Sequence, residues 1–269
     1  MNTDAKRLVV CMAALAVLGA DWVSAAPAGA PAKEKARILL VTGADYPGHV
    51  WRQTAPALAE ALQKDPRFEV FTVEDPRFLD STAVNTYDLI LLHFQNWEQP
   101  GPGERARENL RRCVEGGKGV ALVHFACGAW YGEWPEFAKL AGRAWFGPNP
   151  GPGKQQHDPY GVFRVEMVKP EHPVVRGMTD FDTQDELYTC LEGDHPIEVL
   201  AQAKSKVDGK NYPMAFVSRY GKGRTFHCVL GHDAKALSFP GVQELYRRGC
   251  AWAAGMAPVP QQATESRPK

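Results

Sequence analysis

Between residues 37 and 125 the chain alternates short, unbroken apolar runs with longer stretches in which apolar residues recur every three or four positions. The runs are Arg37–Thr42 (RILLVT), Phe68–Val73 (FEVFTV), Tyr87–His93 (YDLILLH) and Gly119–Phe125 (GVALVHF). Continuous apolar runs of this length suit parallel strands covered on both faces. Between the first two, Ala55, Leu58, Ala59 and Leu62 fall at i, i+3, i+4 and i+7, the stripe of an amphipathic helix. Glu104–Glu115 reads as a charged helix stopped by Gly116-Gly117. The resulting β-α-β-(α)-β-α-β order predicts an α/β fold: a doubly wound, mostly parallel sheet with helices on both faces.

Beyond residue 125 the pattern changes. Residues 134–140 suit a short helix, and residues 142–160 form a loop dense in Gly, Pro, Asn and Gln. A loop of that length inside a compact domain is usually functional. Residues 162–168 alternate like a strand, 198–203 and 214–220 are further strands, and Tyr220-Gly221-Lys222-Gly223-Arg224 turns the last of these into a C-terminal β-hairpin over 214–230. A helix over 241–254 closes the domain. Residues 257–269, rich in Pro, Gln and Ser, read as a disordered tail. No internal repeat and no second domain are visible.

Composition changes the picture mainly at the N-terminus. Lys6 and Arg7 precede an apolar stretch over 8–20, and Val23-Ser24-Ala25 has the small-residue pattern of a signal peptidase site. The expectation is a signal peptide over 1–25, a flexible lead-in over 26–36, one domain over 37–256, and export to the periplasm or beyond with no membrane span. Lys+Arg and Asp+Glu both total 31, which lacks the electrostatic footprint of a nucleic-acid binder. Of six cysteines, Cys11 falls in the leader; the remaining odd number, widely spaced, is no disulfide framework and reads chiefly as buried thiols.

Three histidines stand at ends of strand-like runs: His49 in Gly43-Ala44-Asp45-Tyr46-Pro47-Gly48-His49, His124 after Val123, and His232 in Gly231-His232-Asp233. In an open α/β sheet the carboxyl ends of parallel strands border one crevice, where ligands bind. The Gly43–His49 loop lacks any phosphate-loop spacing; Asp45 and His49 there are candidate substrate contacts, although His49 alone also reads as a helix N-terminal residue. His124 precedes the tight turn Phe125-Ala126-Cys127-Gly128, as a nucleophile does at an elbow, but imidazole serves as a base or metal ligand. Cys127 is out of register for the nucleophile. Asp185-Glu186 places two acids side by side, of which a strand would aim only one at a shared site; Glu186 is the choice, with a solvated acidic loop as the competing reading. Asp233 beside His232 suits an acid/base pair or a supported metal ligand. His93 ends a strand and could line the crevice with Gln95, Asn96 and Trp97. Trp130, Tyr131, Trp134, Trp145 and Phe146 suit stacking on sugar rings, Trp130 foremost, or else core packing. His157, His172 and His195 read as loop residues, with at most a minor role for His157.

The His49 loop, Val123-His124, Trp134-Pro135-Glu136-Phe137, His172-Pro173-Val174-Val175-Arg176-Gly177-Met178 and Asp185-Glu186-Leu187-Tyr188 form part of an ordered set. Tyr220–Arg224, Leu230-Gly231-His232-Asp233 and Arg248-Gly249-Cys250-Ala251-Trp252-Ala253-Ala254-Gly255 complete it. In this order, across Arg37 to Gly255, the chain resembles the ThuA-like (trehalose utilisation) family. The resemblance implies a flavodoxin-like sandwich of the class I glutamine amidotransferase type. In that superfamily a Cys occupies the elbow and a His–Glu pair follows the late strand; here His124 stands where the Cys would be and His232 where the His would be. Glutamine hydrolysis through a thioester is therefore not expected. The resemblance further implies a role in trehalose, disaccharide or keto-sugar utilisation beside a sugar-oxidising dehydrogenase, and a divalent metal. His124, Glu186 and His232 are ligand types that zinc takes. The expectation is acid/base or metal-assisted chemistry on a carbohydrate by His124, His232 and Glu186. A non-catalytic sugar-binding module and a Cys127-dependent hydrolase are the alternatives.

Overall fold

The computed structural model describes residues 33–145 and 156–259. The expected signal peptide, the lead-in up to residue 32, residues 146–155 of the Gly/Pro-rich loop and the tail from residue 260 lie outside the described residues. In chain order the first half contains β1 (Ala36–Val41), α1 (Trp51–Gln63), β2 (Phe68–Val73), β3 (Leu89–Leu92), α2 (Glu104–Glu115), β4 (Gly119–Val123) and α3 (Phe137–Ala141). The second half adds β5 (Ala144–Trp145), β6 (Gly161–Met167), β7 (Phe181–Asp185), β8 (Leu191–Glu192), β9 (Glu198–Lys204), β10 (Asn211–Tyr220), β11 (Gly223–Cys228), α4 (Ala234–Ser238) and α5 (Pro240–Ala253). Ala36 already belongs to β1, and Ala257 is held by Arg67, which donates to its carbonyl at 2.8 Å.

Nine strands form one sheet in the order β2-β1-β3-β4-β11-β10-β9-β6-β7, and β5 pairs with β8 apart from it. The first five run parallel, in the order of a flavodoxin-like sheet with β11 as its fifth strand. The other four are joined antiparallel. The mostly parallel sheet read from the apolar runs is this first half. In the antiparallel half β6 and β9 fall on the strands expected over 162–168 and 198–203, while β7 (FDTQD), a largely polar edge strand with no apolar run to mark it, is absent from the sequence reading.

Alternation along each parallel strand builds the two covering layers. Ile38 and Leu40, Leu89 and Leu91, and Ala121 and Val123 face a core shared with α1, α4 and α5. Leu39 and Val41, Ile90 and Leu92, and Val120 and Leu122 face the core under α2 and α3. Helix and sheet approach closely where a glycine permits it: a Cβ on Gly249 of α5 would lie 2.3 Å from the Phe226 ring of β11.

The layering also opens the crevice. After β1 the chain passes to α1 on one face, whereas after β3 it passes to α2 on the other. The connections therefore part between β1 and β3, the switch point at which ligands bind in open α/β sheets. At the far end, β7 packs against α4 and α5, where Phe181 lies so close to Gly241 that a Cβ there would be 2.4 Å from its ring. This return brings the end of an antiparallel edge strand to the carboxyl ends of the parallel ones. Among the described residues no helix is long and apolar enough to cross a membrane.

Replacing Gly249 by Ala forces the Phe226 ring out of its packed position, and overpacking of this kind costs about 1–3 kcal/mol. Urea unfolding of Gly249→Ala is expected to show that loss with the slope unchanged; an unaltered midpoint would mean that α5 can move away from β11.

Candidate metal centre

His124 opens the turn after β4 with φ +42°, a left-handed conformation that non-glycine residues seldom adopt and that clusters at functional sites. The turn continues through Gly128 as one stretch of 3₁₀ helix. His124 is fully buried. Its Nδ1–H donates to the Val229 carbonyl at 2.7 Å, which leaves Nε2 as the acceptor nitrogen. The Tyr188 hydroxyl stands 2.7 Å from Nε2 and donates to it. Fixing the outer nitrogen of a histidine on a backbone carbonyl is how proteins orient imidazoles for a metal.

Around His124 stand His49 from the β1–α1 loop, His232 from the loop after β11 and Glu186 from the end of β7. One donor atom from each of these four residues lies within 4.8 Å of every other. Glu186 Oε2 is 3.2 Å from His232 Nδ1 and 3.5 Å from His124 Nε2. Neither approach has hydrogen-bonding geometry, and both His232 Nδ1 and His49 Nδ1 are buried with no partner among the described residues. Buried polar atoms almost always have partners. Four donors that converge without bonding one another, two of them orphaned, fit a cation between them.

The charge states match. Burial, with His124 and His232 nearby, pushes the His49 pKa down to about 2, so its ring is neutral. Burial opposes ionisation of Glu186, but the neighbouring His124 and His232 outweigh it and hold its pKa below the usual range. His232 is the counterpart: burial disfavours its charge, yet Glu186, Asp185 and Asp233 raise its pKa. A metal requires neutral imidazoles and an ionised carboxylate, and binding would displace the proton that His232 otherwise gains.

Asp185 lies beneath the cluster. Its fully buried carboxylate accepts from the backbone N–H of Gly231 (2.6 Å), His232 (3.2 Å) and Glu186 (2.8 Å). Burial raises its pKa, opposed by His124 and by these three N–H groups. Gly231, at φ +117°, makes the turn that lets its N–H reach Asp185.

Comparison with known families now has a site to bear on. The family model for ThuA, described as trehalose utilisation, matches residues 37–253. The chain belongs to the ThuA family. Among solved structures, a ThuA-like protein from Parabacteroides merdae superposes with a TM-score of 0.71 at 26% identity, covering 87% of this chain and 95% of its own. A ThuA-like protein from Bacteroides uniformis gives 0.63 at 18% identity, covering 87% and 99%. The fold recurs within a β-galactosidase from Bacillus circulans sp. alkalophilus, at a TM-score of 0.52 and 14% identity, over 84% of this chain and 32% of that one. No curated protein matches the chain. Membership gives this ThuA protein a role in carbohydrate utilisation and a flavodoxin-like, class I glutamine amidotransferase-like fold.

The structure brings together His124, His232 and Glu186, and adds to them His49, expected as a substrate contact. The Tyr46–Val50 turn folds over the sheet end, stacking His49 on Phe125 at 4.5 Å and burying it to 6% exposure. Asp45 is not in the cluster; it faces solvent and accepts from Trp51 Nε1 and Arg52. His93 lines no open crevice, being fully buried beneath the loop, hydrogen-bonded to Thr42 at 2.9 Å and held neutral by burial with a pKa of about 3. Trp130 offers no free face for a sugar: it is 1% exposed, donates its indole N–H to the Pro102 carbonyl, and packs on Phe94, Trp134 and Phe137. Asp233 does not pair with the His232 ring; it caps α4 and accepts from Tyr160. His157, given at most a minor part, places Nε2 3.7 Å from Glu186 Oε1, and Tyr188 went unassigned although it touches His124. Its position two residues after Glu186 was the available signal.

Cys127 is buried and its thiol pKa is pushed well above the ordinary value, chiefly by burial. In native protein it should resist iodoacetamide, and rapid alkylation of Cys127 would restore the thiol-hydrolase alternative. Asp185→Asn turns one acceptor oxygen toward donor N–H groups as an amide NH₂ and removes a buried charge. A loss of about 2–4 kcal/mol in unfolding free energy is expected, measured by denaturant titration; full stability would show that the N–H groups find other acceptors.

Proposed function

We propose that this chain is an exported enzyme of carbohydrate utilisation that holds a divalent cation, zinc first, on His49, His124, Glu186 and His232 and acts on a sugar carbonyl or hydroxyl brought to that site. The observation that carries this reading is the convergence of four donor atoms within 4.8 Å of one another. Imidazole and carboxylate are the ligands that zinc takes, with related divalent ions as competitors. The bound ion would supply Lewis-acid polarisation of the substrate oxygen.

The remaining tasks fall to the protein. The Val229 carbonyl and the Asp185 carboxylate keep His124 and the His232 loop in place. Tyr188 stays protonated, because burial raises its pKa well above the ordinary value; its hydroxyl, which donates to His124 Nε2 here, would have to turn from that nitrogen when the ion takes it. Glu186 Oε1 is the oxygen turned away from His124 and His232, toward His157, and is the atom placed to take a proton. Glu186 and His232 are the two partly exposed members, so substrate approaches from their side. A keto-sugar, with acidic C–H bonds beside its carbonyl, is the substrate class this set suits, and a sugar-oxidising dehydrogenase is the kind of enzyme that would supply it. Lys6-Arg7, the apolar stretch behind them and Val23-Ser24-Ala25 support export to the periplasm or beyond.

Purified protein should carry close to one equivalent of divalent metal by elemental analysis, and His124→Ala and His232→Ala should each lower metal affinity at least tenfold, as loss of a ligand or its support does. Turnover of a keto derivative of trehalose should fall with it. Metal-free wild-type protein that also fails to bind added zinc would remove the metal from the reading; normal turnover by both variants would remove the site.

A further inference from the structure

Residues 156–160 run beside Glu186 and His232, the two partly exposed members of the cluster, and bring His157 and Tyr160 to them. The segment is pinned along its length. Thr189 N–H donates to the Gln156 carbonyl at 3.0 Å and Asp158 N–H to the Leu187 carbonyl at 2.9 Å, so that His157 pairs with Tyr188 as an isolated antiparallel bridge. The buried Asp158 carboxylate accepts from Ser205 Oγ and from the Lys206 N–H, both at 2.8 Å. The Tyr160 hydroxyl donates to Asp233 at 3.0 Å. His157 is therefore held from both sides against the stretch that carries Glu186 and Tyr188.

The His157 ring is fixed as well. Its Nδ1–H donates to the Asp158 carbonyl at 2.8 Å, which leaves Nε2 for another partner. Nε2 faces Glu186 Oε1 at 3.7 Å, too far for a hydrogen bond. The His157 side chain is 35% exposed and that of Glu186 14%, so the gap between them opens outward. On the other flank the Tyr160 ring stands 5.4 Å from the His232 ring. A ring nitrogen and a carboxylate oxygen thus border a notch on the side from which substrate approaches.

The width of the notch says what it can hold. Two polar atoms too far apart to bond each other leave room for one hydroxyl-bearing carbon between them. A hydroxyl oxygen about 2.8 Å from Nε2 lets the C–H on the same carbon turn to Oε1. A hydroxyl suits Nε2 in either protonation state, because it can both donate and accept.

We infer that His157 positions the substrate: its Nε2 bonds the hydroxyl on the carbon next to the reacting carbonyl and holds that carbon's C–H against Glu186 Oε1. The C–H bond then breaks with its proton passing to Oε1 and its electron pair moving to the neighbouring carbonyl oxygen as an enolate. The inference rests on the cluster being a centre for keto-sugar chemistry. It adds the residue that selects which C–H reacts and the substrate group by which the selection is made.

The test is calorimetric titration in the cold, before turnover, with a keto derivative of trehalose and its two deoxy analogues, each lacking one hydroxyl beside the carbonyl. Zinc-loaded wild type should bind the parent about tenfold more tightly than one of the analogues, the worth of one hydrogen bond. His157→Ala should bind the parent and that analogue alike, with zinc content at the wild-type level. His157→Gln, whose amide can bond the same hydroxyl, should restore part of the preference. Wild type that binds the parent and both analogues alike, or a preference that survives in His157→Ala, would overturn the inference and leave the cluster standing. Wild type that takes up no zinc, or that holds zinc and binds no keto sugar, would sink the reading of the cluster and this inference with it.

Discussion

One buried carboxylate holds the site together. Asp185 ends the outermost strand of the sheet and accepts from N–H groups on two segments, its own neighbour Glu186 and the Gly231-His232 turn after β11. A carboxylate without water is costly unless its lone pairs are filled, and here three backbone donors fill them. The requirement works in both directions. The turn cannot leave without exposing Asp185, and β7 cannot slip without unpairing the turn. Glu186 and His232 are thereby referenced to one anion, while His124 hangs on the Val229 carbonyl.

His124 shows what the fold keeps and what it changes. The left-handed elbow after β4 survives, with the backbone strain that holds a side chain over the sheet end. The residue on it is an imidazole anchored to Val229, while the nearest thiol, Cys127, is sealed in the core. The elbow presents a fixed ring nitrogen 3.5 Å from Glu186 in place of a nucleophile.

The parallel half of the sheet was legible because its strands are buried on both faces and so carry continuous apolar runs. The same logic placed His124 and His232, which directly follow such runs. Glu186 was reached through the alternation of side chains on a strand, but it lies just past the strand end and both acids approach His124, Asp185 Oδ1 at 4.0 Å and Glu186 Oε2 at 3.5 Å. β7 itself was not legible, since an edge strand needs little apolar content and FDTQD has almost none. His49 escaped for another reason: its burial depends on a loop closing over Phe125 from a distant strand, which no local pattern encodes. Trp130 misled because an aromatic beside polar residues suits both a sugar platform and a core, and its N–H found a carbonyl partner through the loop carrying Pro102.

The four candidate ligands come from residues 49, 124, 186 and 232, so they divide most of the domain into long closed loops. A single ion there would act as a covalent cross-link does, removing chain entropy from the unfolded state with a strength that grows slowly with loop length. Among the described residues no cysteine is paired, so no disulfide does that work there. The antiparallel half of the sheet would then owe its attachment to the parallel half partly to metal supply. The availability of the ion would then set how long the protein lasts as well as what it can do.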